Sequence, residues 1–168
     1  PLITSRMKDY TLFEDSQRIT REYAKKCGAD YVLFDEPVIN FFSASMERMR
    51  LIQEEKWAKE YDNILYLDCD TIISKDCPNL FEEYPQQTLR VCPTLMHRKW
   101  LLEKEHNMAR RFGEERLLSQ YFNGGVILFH KSTLNLMRGK LNYRKRFTTY
   151  AFDDQSELNW VAMQNNIP

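Results

Sequence analysis

The sequence lacks an excess of charge of either sign. Lys and Arg together number 24, and Asp and Glu together also number 24. Without a net positive field, the chain has none of the long-range attraction that draws proteins to polyanions, so general nucleic-acid binding is not expected. Any phosphate that the protein binds must be held by a few local groups.

Long hydrophobic runs and paired cysteines are missing as well. No apolar stretch approaches the roughly 20 residues of a transmembrane helix, and we expect no signal peptide or membrane anchor in this chain. The four cysteines form no Cys-x-x-Cys pair, so we expect reduced thiols and a cytoplasmic location, which for a viral protein is the host cytoplasm. The chain opens on Pro1 rather than Met, which is compatible with truncation at one or both ends.

The order of apolar patterns predicts one α/β domain. The 168 residues are 43% hydrophobic and 29% charged, a globular composition for a single compact unit spanning 1–168. The alternation of elements favours a mixed, mainly parallel sheet flanked by helices. The predicted strands are 2–4, 31–34, 64–67, 89–92 and 126–129, and the predicted helices run from Phe13 to Gly28, over about 43–61 and 101–118, and from near Asp154.

An acidic pair follows the most apolar of these strands, 64–67, which is expected to be buried on both faces. Asp68 and Asp70 lie at its carboxyl end, where open α/β sheets gather ligands, and strand alternation would turn both side chains to one side. The tripeptide alone is weak, because a chain with ten Asp contains about 0.6 such matches by chance. Hard carboxylate oxygens favour Mn²⁺ or Mg²⁺. The alternative is an acidic turn that caps the next segment or pairs with Lys75.

Four stretches together resemble a known family. The segment Ile-Leu-Tyr-Leu-Asp-Cys-Asp-Thr-Ile-Ile at 64–73 is similar to the metal-binding strand of GT-A glycosyltransferases, above all family 8 and its bacterial and large-virus relatives. The helix at 42–51 resembles the one that carries a donor-contacting arginine. Residues 121–128 resemble the Phe-Asn-small-Gly strand, and 154–159 match Asp-Gln-x-x-Leu-Asn. The combination, spanning roughly 40–160, is far more specific than any single motif.

The resemblance implies a GT-A, Rossmann-like domain that moves a sugar from a nucleotide-diphosphate donor, UDP-sugar being favoured, to a glycan or protein-linked acceptor, with retention of configuration. Asp68 and Asp70 would hold the metal against the diphosphate, with Cys69 between them in the donor site. The other implied positions are Thr4, Ser5, Arg6, Tyr10, Asn123, Gly124 and Gly125 for the donor, and Asp153, Asp154 and Gln155 for catalysis.

Several of these positions have a second interpretation. Glycines let a backbone approach a ligand and Asn can bond sugar hydroxyls, but a plain bulge at 123–125 has the same composition. Helical spacing places Arg50 on the rim of the apolar stripe and Arg48 almost opposite it, so Arg50 is the better donor contact. A salt bridge from Arg50 to Glu54 is its alternative. Likewise, Asp154-x-x-Glu157 is also a capping pattern.

The chain also departs from the family. Ser156 stands where the family often has a second acid after Asp-Gln, which puts the acceptor-side acid in doubt. No His motif like that of the family's third metal ligand follows that segment, because His97, His106 and His130 all precede it; either a C-terminal piece lies beyond Pro168 or water fills the position.

Three other functions use similar residues. A haloacid-dehalogenase-like phosphatase also places Asp-x-Asp after a buried strand, but it needs Thr two places after the second Asp, whereas Thr71 follows Asp70 directly. A nucleotidyltransferase would need more glycine and lysine near the chain start. A non-catalytic nucleotide-binding module is the third, since Ser156 replaces an acid.

Overall fold

The computed structural model describes residues 10–34, 48–85, 88–94, 99, 102–103, 106–107, 110, 121–140 and 153–167. Where it is described, the segment 99–110 is helical. The elements with defined bounds are α1 (Tyr10–Cys27), α2 (Arg50–Gln53), α3 (Glu55–Glu60), β1 (Asn63–Leu67), α4 (Leu80–Glu83), β2 (Arg90–Pro93), β3 (Phe122–His130), α5 (Lys131–Met137) and α6 (Asp153–Gln164). The predicted strand at 2–4 lies outside the described residues.

The chain divides into two compact units. The first consists of Pro1–Glu47 and Leu67–Gln86, and the second of Arg48–Tyr66 and Gln87–Pro168. The organisation of the whole chain as a single domain stays a prediction. No described helix is both long enough and apolar enough to cross a membrane.

Helix α1 anchors the first unit. Phe13, Ser16 and Tyr23 are its buried positions, and their spacing of three and seven residues puts them on one helical face. The helix ends at Gly28, which takes a left-handed φ of +64°, while the Ala29 amide bonds the Ala24 carbonyl at 2.9 Å. This Schellman cap confirms the predicted helix and its glycine stop.

The second unit is built on a three-stranded sheet in the order β1-β3-β2. β2 and β3 pair antiparallel, and their register shifts between Val91, opposite Ile127, and Cys92, opposite Asn123. The strands predicted at 64–67, 89–92 and 126–129 are therefore confirmed, as is the α/β class. The strand pair with a defined register, β2 with β3, is antiparallel. The mainly parallel sheet is therefore not observed in this pair and stays a prediction.

The core of the second unit lies between this sheet and the helices α5 and α6. The central residues of α6 are buried without a break from Ser156 to Ala162, so this helix is enclosed on all sides instead of showing one apolar stripe. The residues with less than 2% exposure include Ile127, Leu134, Met137, Leu158 and Trp160.

Three details of the predicted elements are wrong. The helix predicted over 43–61 is interrupted at Glu54, which is extended (φ −76°, ψ 108°) and separates α2 from α3. Residues 31–34 form no strand, and Val32 is 51% exposed; an apolar run becomes a strand only where a partner strand bonds it. β1 is half-buried at every position, since it lies at the end of the described strand order.

Candidate functional site

The predicted metal pair lies in a turn. β1 ends at Leu67, and the amide of Thr71 bonds the carbonyl of Asp68 at 3.0 Å, closing residues 68–71, the acidic turn. Strand alternation therefore does not govern these side chains, contrary to the sequence argument. The Oγ of Ser16, buried on α1, donates to the Thr71 carbonyl at 2.7 Å. The turn is thus closed by its own backbone and braced by α1.

The electrostatics of the acidic turn suit a hard cation. Burial raises the pKa of the Cys69 thiol, and the negative charges of Asp70 and Asp68 raise it further. A thiol that stays protonated is a poor metal ligand, which leaves carboxylate oxygen as the donor type here. Asp70 is exposed, and within the described residues no salt bridge joins it to Lys75.

The donor set at the acidic turn is small. No group of three or more His, Cys, Asp and Glu side chains placed to hold a metal occurs among the described residues. Two carboxylates fit Mg²⁺ or Mn²⁺, which commonly keep waters and take phosphate oxygens from a substrate. Asp68 and Asp70 are the residues that would hold such a cation, and Zn²⁺ is disfavoured because no His or thiolate cluster accompanies them in that part of the chain.

In the second unit, the Asn-Gly-Gly step is held by side chains from two other segments. The Gly124 amide donates to the Gln155 Oε1 of α6 at 2.7 Å. The Gly124 carbonyl accepts from Nη1 of Arg48, a side chain that is only 8% exposed. We name Arg48, Gly124 and Gln155 the Gly124 clamp. A Cβ added to Gly124 would overlap the Arg48 guanidinium, so a larger residue here would force the Arg48 side chain or the strand to move.

Helix α6 also bonds the start of β3, two residues before Gly124. Asn159 accepts from the Phe122 amide at 2.8 Å and donates from Nδ2 to the Phe122 carbonyl at 3.1 Å. The amide side chain thus bonds both backbone groups of Phe122, which lies opposite Pro93 of β2. Gln155 and Asn159 are four residues apart, so both reach the same side of α6. The Asp-Gln-x-x-Leu-Asn segment therefore serves, at least in its two amides, to fix this strand.

The position that departs from the family is a buried structural one. Ser156 is 1% exposed and its hydroxyl bonds that of Tyr121 at 3.0 Å. This pairing satisfies two hydroxyls that would be costly to bury alone. Ser156 therefore serves the packing of α6 against Tyr121 and contributes no acidic side chain.

Arg48 is buried, although helical spacing predicted it almost opposite the apolar stripe, whereas Arg50 is half-buried, as expected for the rim of that stripe. Arg48 precedes α2 and is buried, with its guanidinium carbon 5.2 Å from the ring centre of Tyr66. Arg50 forms a salt bridge with Glu54 at 2.9 Å, as the alternative interpretation stated. The prediction from helical spacing failed for Arg48 because it assumed one regular helix through both arginines, whereas α2 begins at Arg50. The role of Arg50 as a donor contact stays a prediction.

Glu54 is the centre of a small polar group. Its carboxylate accepts from Arg50 and from the Trp57 indole at 3.0 Å, and it pairs with Lys56 at 3.1 Å. Burial works to raise the pKa of Glu54, but the hydrogen bonds from Arg50 and Lys56 outweigh it and hold the pKa below its usual range. The group links α2 to α3 across the break at this residue.

Asn123 is exposed, and its Oδ1 accepts from the Gly125 amide at 2.7 Å. The register shift lies at the same step, so the bulge interpretation is confirmed. The role of Asn123 in donor binding stays a prediction.

His130 lies at the end of β3. Its Nδ1 accepts from the Ser132 amide and so caps the start of α5.

The remaining predicted residues are placed only in part. Tyr10 begins α1, and Asp153 and Asp154 begin α6, but their side chains lie outside the described part of the structure. Thr4, Ser5 and Arg6 also lie outside the described residues. Of the predicted set, the structure brings together Gly124 with Gln155, and Asn123 with Gly125.

Sequence reasoning did not assign roles to Arg48, Tyr121 and Asn159. Asn159 had a usable signal, because an amide in the middle of an otherwise apolar helical stretch must find a buried partner. Arg48 had none, since its contacts, the Gly124 carbonyl and the Tyr66 ring, come from other segments of the chain.

Comparison with known proteins adds one match. No curated protein and no solved structure matched the chain. A family model described as Glycosyl transferase family 8 matches residues 44–162, which is about seven-tenths of the chain. The matched residues include the acidic turn, the Gly124 clamp and most of α6. The chain therefore belongs to glycosyltransferase family 8.

Proposed function

We propose that this glycosyltransferase moves a sugar from a nucleotide-diphosphate donor, preferably a UDP-sugar, to a glycan or protein-linked acceptor, with retention at the anomeric carbon. The observation that carries the proposal is the acidic turn, two carboxylates directly after β1 within the segment matched by the family model. Retention and the uridine base rest on the family resemblance alone.

Asp68 and Asp70 are proposed to hold Mn²⁺ or Mg²⁺ together with the donor diphosphate. When bound, the cation would supply Lewis-acid stabilisation of the charge that develops on the leaving diphosphate. The chain's own contribution is to keep the two carboxylates on a short closed turn, braced by Ser16. Such a turn holds its ligands with little entropy left to lose on binding.

Other predicted positions extend the donor site. We propose that Asn123 and the adjoining glycines meet the sugar, that Arg50 contacts the donor, and that Thr4, Ser5, Arg6 and Tyr10 meet the base and ribose. Asp153 and Asp154 begin α6 and are proposed to act on the acceptor side. The proposal extends to a single GT-A domain with a mainly parallel sheet, and to a cytoplasmic location, which the absence of any Cys-x-x-Cys pair favours.

A second candidate is a nucleotide-sugar-binding module without transfer activity. The observation that favours it is the burial of Ser156 against Tyr121, which leaves no second acid at the place where the family often has one. The two candidates share the donor site and differ only in turnover.

Thermal unfolding with UDP-glucose, UDP-galactose and GDP-mannose, each with and without Mn²⁺, tests the donor site. A donor at 100 times its Kd stabilises the folded state by about 2.7 kcal/mol. We expect this stabilisation to require Mn²⁺ with at least one UDP-sugar, and to disappear in Asp68→Asn and Asp70→Asn. Asp76→Asn is the matched control, because Asp76 is an exposed acid in the same segment and lies outside the turn.

Turnover separates the candidates. Mn²⁺-dependent release of UDP from the stabilising donor supports transfer activity, whereas binding without UDP release supports the binding module. Equal stabilisation of Asp68→Asn and the native chain would overturn the proposed metal site. Release of phosphate from p-nitrophenyl phosphate, with no response to any sugar-nucleotide, would overturn the proposed reaction.

A further inference from the structure

The bulge in β3 is held by side chains that have no direct part in the proposed chemistry. Between Val91 and Cys92 the partner on β3 jumps from Ile127 to Asn123, so three residues, 124–126, lie opposite one step of β2. A strand that leaves its partner in this way needs other groups to satisfy its backbone. At Gly124 those groups are the Gln155 side chain for the amide and the Arg48 guanidinium for the carbonyl.

Arg48 brings a buried guanidinium to the Gly124 carbonyl. Taking a guanidinium out of water carries a desolvation penalty, offset here by the Gly124 carbonyl and the Tyr66 ring face. Removal of the guanidinium would leave the Gly124 carbonyl without this bond. The bond therefore helps to fix the peptide that joins Gly124 to Gly125.

Asn123 is the side chain that this peptide positions. Its Oδ1 is taken by the Gly125 amide at 2.7 Å, which fixes the orientation of the side-chain amide. The exposed Asn123 consequently presents Nδ2, a hydrogen-bond donor, at the bulge. A ligand that meets Asn123 there must offer an acceptor oxygen, as a sugar hydroxyl does.

We propose that Arg48 and Gln155 are positioning residues that hold the Gly124 peptide, so that Asn123 presents its Nδ2 to a hydroxyl oxygen of the donor sugar. The proposal rests on the proposed function and deepens it. It assigns Gln155 to the placement of a sugar contact instead of to the reacting atoms, because its Oε1 is engaged by the Gly124 amide. Arg48 and Gln155 act through Asn123, so their loss affects sugar recognition more than nucleotide recognition.

An NMR spectrum of the glycine amides, recorded after glycine-selective ¹⁵N labelling, tests the Gly124 clamp without any ligand. The chain has five glycines, so the spectrum contains few signals, and Gly124→Ser identifies that of Gly124. We expect Gln155→Met to shift the Gly124 signal and speed its hydrogen exchange, with the Gly28 signal unchanged. Gln155→Glu keeps an acceptor at Oε1 and should preserve the protection. An unchanged Gly124 signal in Gln155→Met would overturn the clamp.

The consequence for sugar recognition is tested by measuring the affinity for UDP and for UDP-glucose or UDP-galactose, each with Mn²⁺. Loss of one sugar hydrogen bond weakens sugar-nucleotide binding by about two- to tenfold. We expect this loss in Arg48→Met, Gln155→Met and Asn123→Ala, with UDP affinity unchanged within about twofold, and we expect recovery in Arg48→Lys and Gln155→Glu. In the Asn123→Ala background, Arg48→Met should have no further effect on the preference for sugar.

Arg138→Met is the matched control, because Arg138 also donates to a backbone carbonyl, that of Ile52, at 3.2 Å. It should lower the melting temperature as Arg48→Met does, while leaving the ratio of sugar-nucleotide to UDP affinity unchanged. Equal weakening of UDP and UDP-sugar by Arg48→Met would overturn the positioning role, as would full loss of binding in Gln155→Glu. A native chain that binds neither ligand would sink the proposed function, whereas the glycine spectrum would still report the clamp.

Discussion

The acidic turn and the Gly124 clamp use polar residues in opposite ways. The acidic turn ends in an exposed carboxylate, and its own bonds are backbone bonds, with one hydroxyl from α1 as a brace. In the Gly124 clamp and the neighbouring Asn159, buried polar side chains bond backbone groups directly. The turn thus leaves the Asp70 carboxylate exposed, whereas the clamp uses its polar groups to place a strand.

The difference follows from the cost of burial. A carboxylate stripped of water needs a cation or a donor, so two of them are tolerable on a turn that stays accessible. Neutral amides and a guanidinium can be buried when each finds a backbone partner. We therefore expect substitutions in the second unit to act first on stability, and substitutions in the acidic turn to act first on ligand binding.

The largest stability loss is expected for Asn159→Ala. The change leaves the Phe122 amide and carbonyl without the bonds at 2.8 and 3.1 Å, and unsatisfied buried groups cost about 1–3 kcal/mol each. We expect a loss of about 3 kcal/mol in urea unfolding. The control is Asn165→Ala, which removes one bond to the Val161 carbonyl near the end of α6 and should cost about 1 kcal/mol. Equal losses of stability in the two variants would contradict the assigned hydrogen bonds between Asn159 and the Phe122 backbone.

Next in size is Gly124→Ala, which places a Cβ against the buried Arg48 guanidinium. Either the carbonyl bond breaks or β3 shifts, for which we expect a loss of about 2 kcal/mol. Gly28→Ala provides a comparison with a different cause, since nothing lies within 4 Å of its added Cβ and only φ of +64° is strained, at about 1 kcal/mol. If Arg48→Ala restores stability to Gly124→Ala, the steric cause is established; a further additive loss would contradict it.

The smallest effect is expected in the first unit and at high pH. Burial raises the pKa of Tyr23, whose hydroxyl donates to the Pro78 carbonyl at 2.7 Å and accepts from the Leu80 amide. The unfolded chain then loses this proton first, at its ordinary pKa of about 10, so stability falls as pH rises above that value.

Tyr23→Phe removes this contribution. We expect it to cost about 1 kcal/mol at pH 7 and to lose less stability than the native chain between about pH 10 and 11. Parallel stability curves for the two proteins over that range would contradict the assigned burial of Tyr23.

Much of the local structure could be predicted from the chain. Gly28 marked the end of α1, the run at 64–67 marked β1, and the segment from Asp154 marked α6 within one residue. These predictions succeeded because they rest on interactions within a few residues. The predicted strand at 31–34 failed because an apolar run alone does not supply a partner strand.

The candidate site divides in the same way. The acidic pair could be found by its place after an apolar strand, and its membership in a glycosyltransferase family by the order of four motifs. Arg48 could not be found, because its burial depends on a carbonyl of β3 that is distant in sequence. Long-range contacts of this kind have no local pattern.

By itself, the sequence determined the class of fold, the family and the acidic pair, since these depend on residue types and short spacings. Only the tertiary structure decided that Asp68 and Asp70 lie on a turn, that Gln155 and Asn159 bond the backbone of β3, and that Ser156 is buried. The physical reason is that a polar side chain takes its role from the partner that burial supplies, and that partner comes from elsewhere in the chain.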